Sequence, residues 1–329
     1  MNNSQEDGLL KFATEMRNRP LALVIFEATI FAILEFLAIA GNSLTLYVIW
    51  KAPRLRTRSN YFVACLAVSD LGLGVLTEHL LLSSLIMARW PFGDAACQYQ
   101  GVVAITMATA SLQTLAWTAL NRYFRIVQTK CYYRVFTRKN MIIIFVFIWV
   151  SSAFSPLPYL MAGKKFIFHP GKFFCYLTLG SQWYQGFLGI YIGIPAIVIV
   201  FCYYKISRTI KVHEATIRRG RYLSADEIKV TRTLFIIVVV FMVCWTPISI
   251  MDAIDIVRGT WSLPRPAYAF YTFIASVNYA VNPFIYGFSN PNFRREYSRV
   301  LRCQSREGDH RLPSSQGNEN QAATVETST

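Results

Sequence analysis

Seven apolar stretches punctuate the chain, near residues 21–50, 59–87, 96–127, 139–160, 184–210, 230–257 and 266–288, with polar and basic residues between them. At roughly 1.5 Å per residue, each is long enough as a helix to cross a hydrocarbon core of about 30 Å. The second, third and seventh carry more polar side chains than the rest. That suits helices facing a shared interior, where polar groups find partners on neighbouring helices. The pattern predicts an all-α membrane protein: a seven-transmembrane helix bundle spanning residues 21–303, preceded by an amino-terminal segment, 1–20. A short basic amphipathic helix, helix 8, is expected near 291–303 in NPNFRREYSRVLRC. It would lie along the membrane surface and end on Cys303, a candidate for palmitoylation. From 304 to 329 the chain is polar and poor in aromatics, as in a disordered tail.

The basic residues sit in alternate connections. Lys51, Arg54, Arg56 and Arg58 follow the first span, Arg122 to Lys139 the third, Lys205 to Arg232 the fifth, and Arg294 to Arg311 the last. With the amino terminus outside, most of the 33 lysines and arginines lie inside, which fixes the expected orientation. The first nineteen residues, MNNSQEDGLLKFATEMRNR, are polar, and the first apolar run is too long for a cleavable signal, so the first helix is expected to direct insertion. The chain is 54% hydrophobic and 16% charged, too oily for a soluble globule of this size. The formal charge of +15 therefore reads as a topology signal and an attraction to anionic lipid, and no nucleic-acid motif competes with that. A multi-pass protein of the plasma membrane is expected, with its amino terminus extracellular.

In this topology Cys97 and Cys175 both face the oxidising side, where a bridge is expected in preference to two free thiols. It would contribute at most about 4 to 5 kcal/mol on the chain-entropy model and hold KFFCYL over the mouth of the bundle. Cys65, Cys202 and Cys244 fall inside apolar helices, where they pack.

Asn42 in GNSL, Asp70 in LAVSD, Cys97, Arg122 in NRY, Trp149, Pro195, CWTP ending at Pro247, and NPFIY at 282–286 occur one per helix and in order. Over about residues 21 to 303 the chain thereby resembles the rhodopsin-like (class A) G-protein-coupled receptors. The resemblance implies a switch in which Arg122, beside Asn121 and Tyr123, pairs at rest with a carboxylate of the sixth helix, here Glu227, and meets a heterotrimeric G protein when that helix moves outward. Asn121 stands where the family usually has an acid, and an amide cannot neutralise Arg122, so restraint should lean on Glu227. Without the resemblance, an arginine near an inner helix end reads as a topology anchor.

The resemblance also implies a sodium site at Asp70, Ser111, Asn278 and Asn282. An interhelical hydrogen-bond cluster is the alternative, and Tyr279 stands where relatives commonly carry a small residue. An unpaired charge at Asp70 would cost about 2.5 to 3.5 kcal/mol by insertion scales, so it needs partners. The resemblance further makes Trp245 the rotamer-sensitive floor of a ligand pocket, with Phe241 beneath it and the kink of Pro247 above. Tyr203 and Tyr286 would swing inward to hold the active form. Phe241 and Trp245 also read simply as aromatic core.

NRYFRIV and the end of helix seven are most similar to melatonin receptors and opsin-neighbouring orphans. The family's ligand residues are missing, however. Ala104 replaces the aspartate of amine receptors, Ser276 the retinal lysine, and Tyr159 and Leu179 the melatonin-holding asparagine and glutamine; Asn282-Pro283 replaces Asn-Ala. Asp252 lies two turns beyond Trp245 and so looks into the pocket, with Asp255 at its rim and Glu35 on the interior face of the first helix. It meets a cationic or polar ligand, or it is a solvated helix end, or it forms a salt bridge to Arg258 or Lys172. Ala104, Met107, Ala108, Ser249, Tyr268, Tyr271 and Thr272 complete the candidate pocket, with Phe173, Phe174, Glu78 and His79 nearby.

The expected partners are the G protein, an extracellular small ligand or short peptide, membrane lipid, and a receptor kinase and arrestin acting on tail residues such as Ser314 and Thr324. A constitutively active or ligand-less orphan is the alternative. A transporter would show paired repeats or broken helices, a pump the missing lysine, and an enzyme a catalytic cluster; none is apparent, and no covalent cofactor is expected.

Overall fold

The computed structural model describes residues 3–177, 182–215, 225–259 and 262–302. Cys303, the tail, Leu179 and Arg218 to Arg221 lie outside the described residues. Seven long helical segments run through Leu21–Lys51, Arg58–Met87, Gly93–Ile126, Arg138–Met161, Gln182–Ala215, Ala225–Arg258 and Arg265–Ser289. The first six are long and apolar enough to cross a membrane by length and composition. The seventh is more polar because it buries Thr272, Ser276, Asn278 and Asn282 against its neighbours.

Local chemistry sets the ends. Thr57 and Thr137 each accept a hydrogen bond from the backbone N–H three residues on, capping spans two and four, and Asn290 caps the helix after span seven. Pro195, Pro247 and Pro283 sit inside helices, each removing a backbone donor. Span two opens into one π turn at Gly74–Glu78, and span four breaks at Ser155–Pro156.

Large apolar side chains face outward along the bundle, among them Phe26, Phe36, Trp50, Ile142, Phe147, Ile197 and Phe201. In water such a belt would be a liability; in lipid it is the expected surface. Polar groups point inward instead. Span three buries Thr109, Ser111, Gln113, Thr114, Thr118, Asn121 and Arg122, and packs against spans two, four and five. Span one approaches span seven at Gly41, where an added Cβ would stand 2.8 Å from Pro283 Cγ, so only glycine fits without displacement.

Besides a 3-10 turn at Pro53–Leu55, three additional elements appear among the described residues. An amino-terminal helix, Asn3–Arg17, buries Phe12 and Met16. A short helix, Thr129–Val135, follows Arg122. An antiparallel hairpin pairs Ile167–His169 with Phe174–Tyr176, a small exception to the all-α expectation. The expected amphipathic helix runs Pro291–Leu301, with Phe293 and Glu296 turned inward and Glu296 paired to Arg54 and Arg299.

Candidate functional site

At the end of the bundle that carries NRY, Arg122 is buried and its Nη1 donates to Glu227 Oε2 at 3.0 Å. Burial of a guanidinium is costly unless it is paired, and this carboxylate from span six supplies the partner. Asn121 turns its carbonyl to Ser59 of span two, 2.9 Å away, and to Arg122 itself at 3.5 Å. Arg125 is a component the sequence reading passed over. It places Nη2 2.9 Å from Glu227 Oε1, donates to Tyr133 at 2.9 Å, and stacks on Tyr132 and Tyr133 of the loop helix. Its position three residues after Arg122, on the same helix face, was the available signal.

Deeper in, Asp70 is buried and accepts from Asn282 Nδ2 at 2.7 Å and Ser111 Oγ at 3.3 Å, while Ser111 also meets Ser69 at 2.8 Å. Asn278, expected in this cluster, is engaged instead with Trp245, whose Nε1 donates to its carbonyl at 3.3 Å. The tyrosine at 279 lies beside Glu78 and Ser276 rather than against Asp70. Trp245 and Phe241 are stacked, centroids 5.6 Å apart. Tyr203 and Tyr286 are buried with unpartnered hydroxyls; Tyr286 stacks on Phe293.

The opposite end is closed by the hairpin. Cys97 and Cys175 are bonded, their Cα atoms 5.4 Å apart. Gln100, one turn beyond Cys97, accepts from Cys175 N at 2.9 Å and donates to Thr77 O, and Gln98 makes two bonds to the backbone of Phe166. Phe166 packs against Gly101, where a Cβ would stand 2.3 Å from ring atoms. The hairpin thus rests on span three through a disulfide, two amides and one glycine.

Its tip, HPGKFF, enters the space between spans six and seven. Of the alternatives for Asp252 the salt bridge to Lys172 is found, in place of a solvated helix end: Lys172 Nζ lies 3.1 Å from Oδ1, with the lysine side chain 1% exposed. Asp252 Oδ2 accepts from Tyr176 at 2.9 Å, and the Tyr271 hydroxyl lies 3.1 Å from the same oxygen and 3.0 Å from Tyr176. Thr272 donates to the Lys172 carbonyl at 2.8 Å. Asp255, expected at the rim, is buried and accepts from Tyr268 at 2.6 Å and Ser262 at 3.0 Å. Burial pulls His169 well below its ordinary pKa, and the Lys172 charge adds to this; burial also lowers Lys172, against the pull of Asp252.

The remaining candidates are dispersed. Ala104, Met107 and Ala108 are half-buried on span three, Met107 against Gly72. Ser249 and His79 are exposed, whereas Glu78 is buried against Ser276 and Glu35 is half-buried near both His79 and Glu78. Phe173 is buried away from Asp252, under the guanidinium groups of Arg19 and Arg265, each 5.5 Å from its ring. Both arginines share Glu27, a network unread in the sequence. The amino-terminal helix lays Phe12 over Tyr268 and His169, 5.4 and 6.1 Å between rings.

Residues 41–286 match the family described as 7 transmembrane receptor (rhodopsin family). The chain is 26% identical to melatonin receptor type 1B-B of Danio rerio over 313 residues, 92% of this chain and 88% of that one. It is 26% identical to melatonin receptor type 1A of Mus musculus over 292 residues, covering 87% and 82%. In fold it is similar to squid rhodopsin, with a TM-score of 0.74 at 22% identity over 87% of this chain and 83% of that structure. The chain belongs to the rhodopsin family of seven-transmembrane receptors, and is related within it to melatonin receptors.

Proposed function

We propose that this receptor sits in the plasma membrane with its hairpin end outside, takes a small polar or cationic ligand near Asp252, and activates heterotrimeric G proteins by outward movement of span six. The observation that carries the coupling half is the Arg122–Glu227 ion pair, which ties spans three and six at the basic end of the bundle. Such a tie biases a two-state equilibrium toward the closed form; a ligand that favours the open form works against it. Receptor kinase and arrestin acting on the tail belong to the same proposal.

The test is basal signalling at matched surface expression. Glu227→Gln removes the partner of two guanidinium groups, and a coupling of about 1 to 3 kcal/mol raises a small active population several-fold or more. Arg122→Ala should lose coupling, because the same side chain is needed in the open form. Unchanged basal signalling in Glu227→Gln would dismiss the lock.

Sodium at Asp70 is part of the same reading. The hard oxygens of Asp70 and Ser111, with Asn282 alongside, suit a small monovalent cation, which would neutralise the buried carboxylate. Raising sodium at constant ionic strength should then raise the unfolding temperature of the purified receptor, and Asp70→Asn should abolish that response. Equal sodium sensitivity in the mutant would leave the hydrogen-bond cluster without an ion.

A further inference from the structure

The ammonium of Lys172 is bound as a ligand would be bound. Its nitrogen lies 3.7 Å from the ring centroid of Tyr176 and 3.9 Å from that of Tyr271, with Tyr268 at 5.6 Å and Asp252 at 3.1 Å. Aromatic faces around a carboxylate recognise alkylammonium groups, and the attraction is strongest when the site is desolvated, as here. The lysine is delivered by a stiff tether. Phe173 takes a left-handed backbone conformation, φ +66°, that turns the tip inward, and the disulfide begins two residues later. Thr272 fixes the Lys172 carbonyl, and Gly171 packs directly on Tyr268.

We infer that Lys172 is a built-in occupant of an alkylammonium site formed by Asp252, Tyr176 and Tyr271, and that a ligand bearing such a group acts by displacing it. Lys172 reaches from the hairpin to Asp252 on span six, and its carbonyl holds Thr272 on span seven. It therefore clamps the outer ends of both, and this occupancy coexists with the closed Arg122–Glu227 pair. The inference deepens the cationic-ligand reading of the same site and depends on G-protein coupling only in its signalling arm. Tethering sets the specificity. A linked group competes at an effective concentration of roughly millimolar or more, so a simple amine should not displace Lys172, whereas a ligand with further contacts can.

The experiment is chemical rescue. In purified receptor in lipid nanodiscs, Lys172→Ala should unfold at a lower temperature than the natural chain. The n-butylammonium ion, at about 1 to 20 mM, should raise the unfolding temperature of Lys172→Ala saturably and leave the natural chain unmoved. Butanol and sodium chloride at the same concentrations should do neither, and the Lys172→Ala/Asp252→Asn double variant should not respond. Where Lys172→Ala is not recovered folded, butylammonium in the expression medium should restore its yield and butanol should not. In cells Lys172→Ala should raise basal signalling several-fold, and butylammonium should return it. Butylammonium stabilising Lys172→Ala no more than butanol or salt, or stabilising the natural chain equally, overturns the inference. A silent signalling arm beside a positive thermal arm counts against coupling and supports the cage.

Discussion

Arg125 and Asn121 show how finely the residues around Arg122 divide the work. Arg125 is about a third exposed and shares Glu227 with the buried Arg122. Exposed pairs contribute about 0.2 to 1 kcal/mol, so Arg125→Ala should raise basal signalling by less than Glu227→Gln does, at most about fivefold. An increase equal to that of Glu227→Gln would make Arg125 the principal partner. Asn121→Asp should act oppositely, since its carbonyl already approaches Arg122 and a carboxylate there would add charge to that contact. The Arg122–Glu227 pair was legible only through the resemblance to rhodopsin-like receptors, which implies it; the residues alone read Arg122 as a topology anchor. Arg125 was overlooked because a basic residue at an inner helix end already has an explanation in the positive-inside pattern. Nor did the pattern separate Asn278 from the Asp70 cluster: four residues before Asn282 places it on the same face, and only the packing of Trp245 shows which neighbour claims it.

Among the elements, the spans were read to within a few residues because an apolar run of bilayer length is a strong signal. The hairpin and the amino-terminal helix were not. Strands of three residues have no periodicity to detect, and the helix Asn3–Arg17 is polar apart from the face that carries Phe12 and Met16. Both cover the same end, and His169 joins them. Its Nδ1 accepts the Lys172 N–H at 3.2 Å while its ring lies 4.6 Å from Tyr268 and 6.1 Å from Phe12. Its folded pKa is depressed, so the unfolded chain binds the extra proton first. Stability is therefore full above the unfolded value of about 6.5 and is lost as pH falls below it. Protonation would also remove the acceptor and add charge beside Lys172. Thermal unfolding between pH 7.5 and 5 should show this loss in the natural chain and much less of it in His169→Asn. An identical slope in both would place the acid sensitivity elsewhere.

At the scale of the whole molecule, span six is held at both ends. Glu227 ties it to span three, and Asp252 ties it to the hairpin, about 37 Å away along the helix, with Pro247 between them. If the bundle moves between closed and open forms as one unit, releasing one end must loosen the other, because linkage between sites is reciprocal. Hydrogen exchange reads that directly. Backbone amides bonded within the closed form exchange in proportion to the population of the form that frees them. Glu227→Gln should therefore accelerate exchange at the hairpin, residues 167–176, although the substitution lies at the far end of span six. The acceleration should match, within error, the several-fold rise in basal signalling, since one equilibrium constant governs both. Unchanged exchange at 167–176 beside raised basal signalling would mean that the two ends open independently, with Pro247 acting as a hinge that uncouples them rather than a kink in one rigid lever.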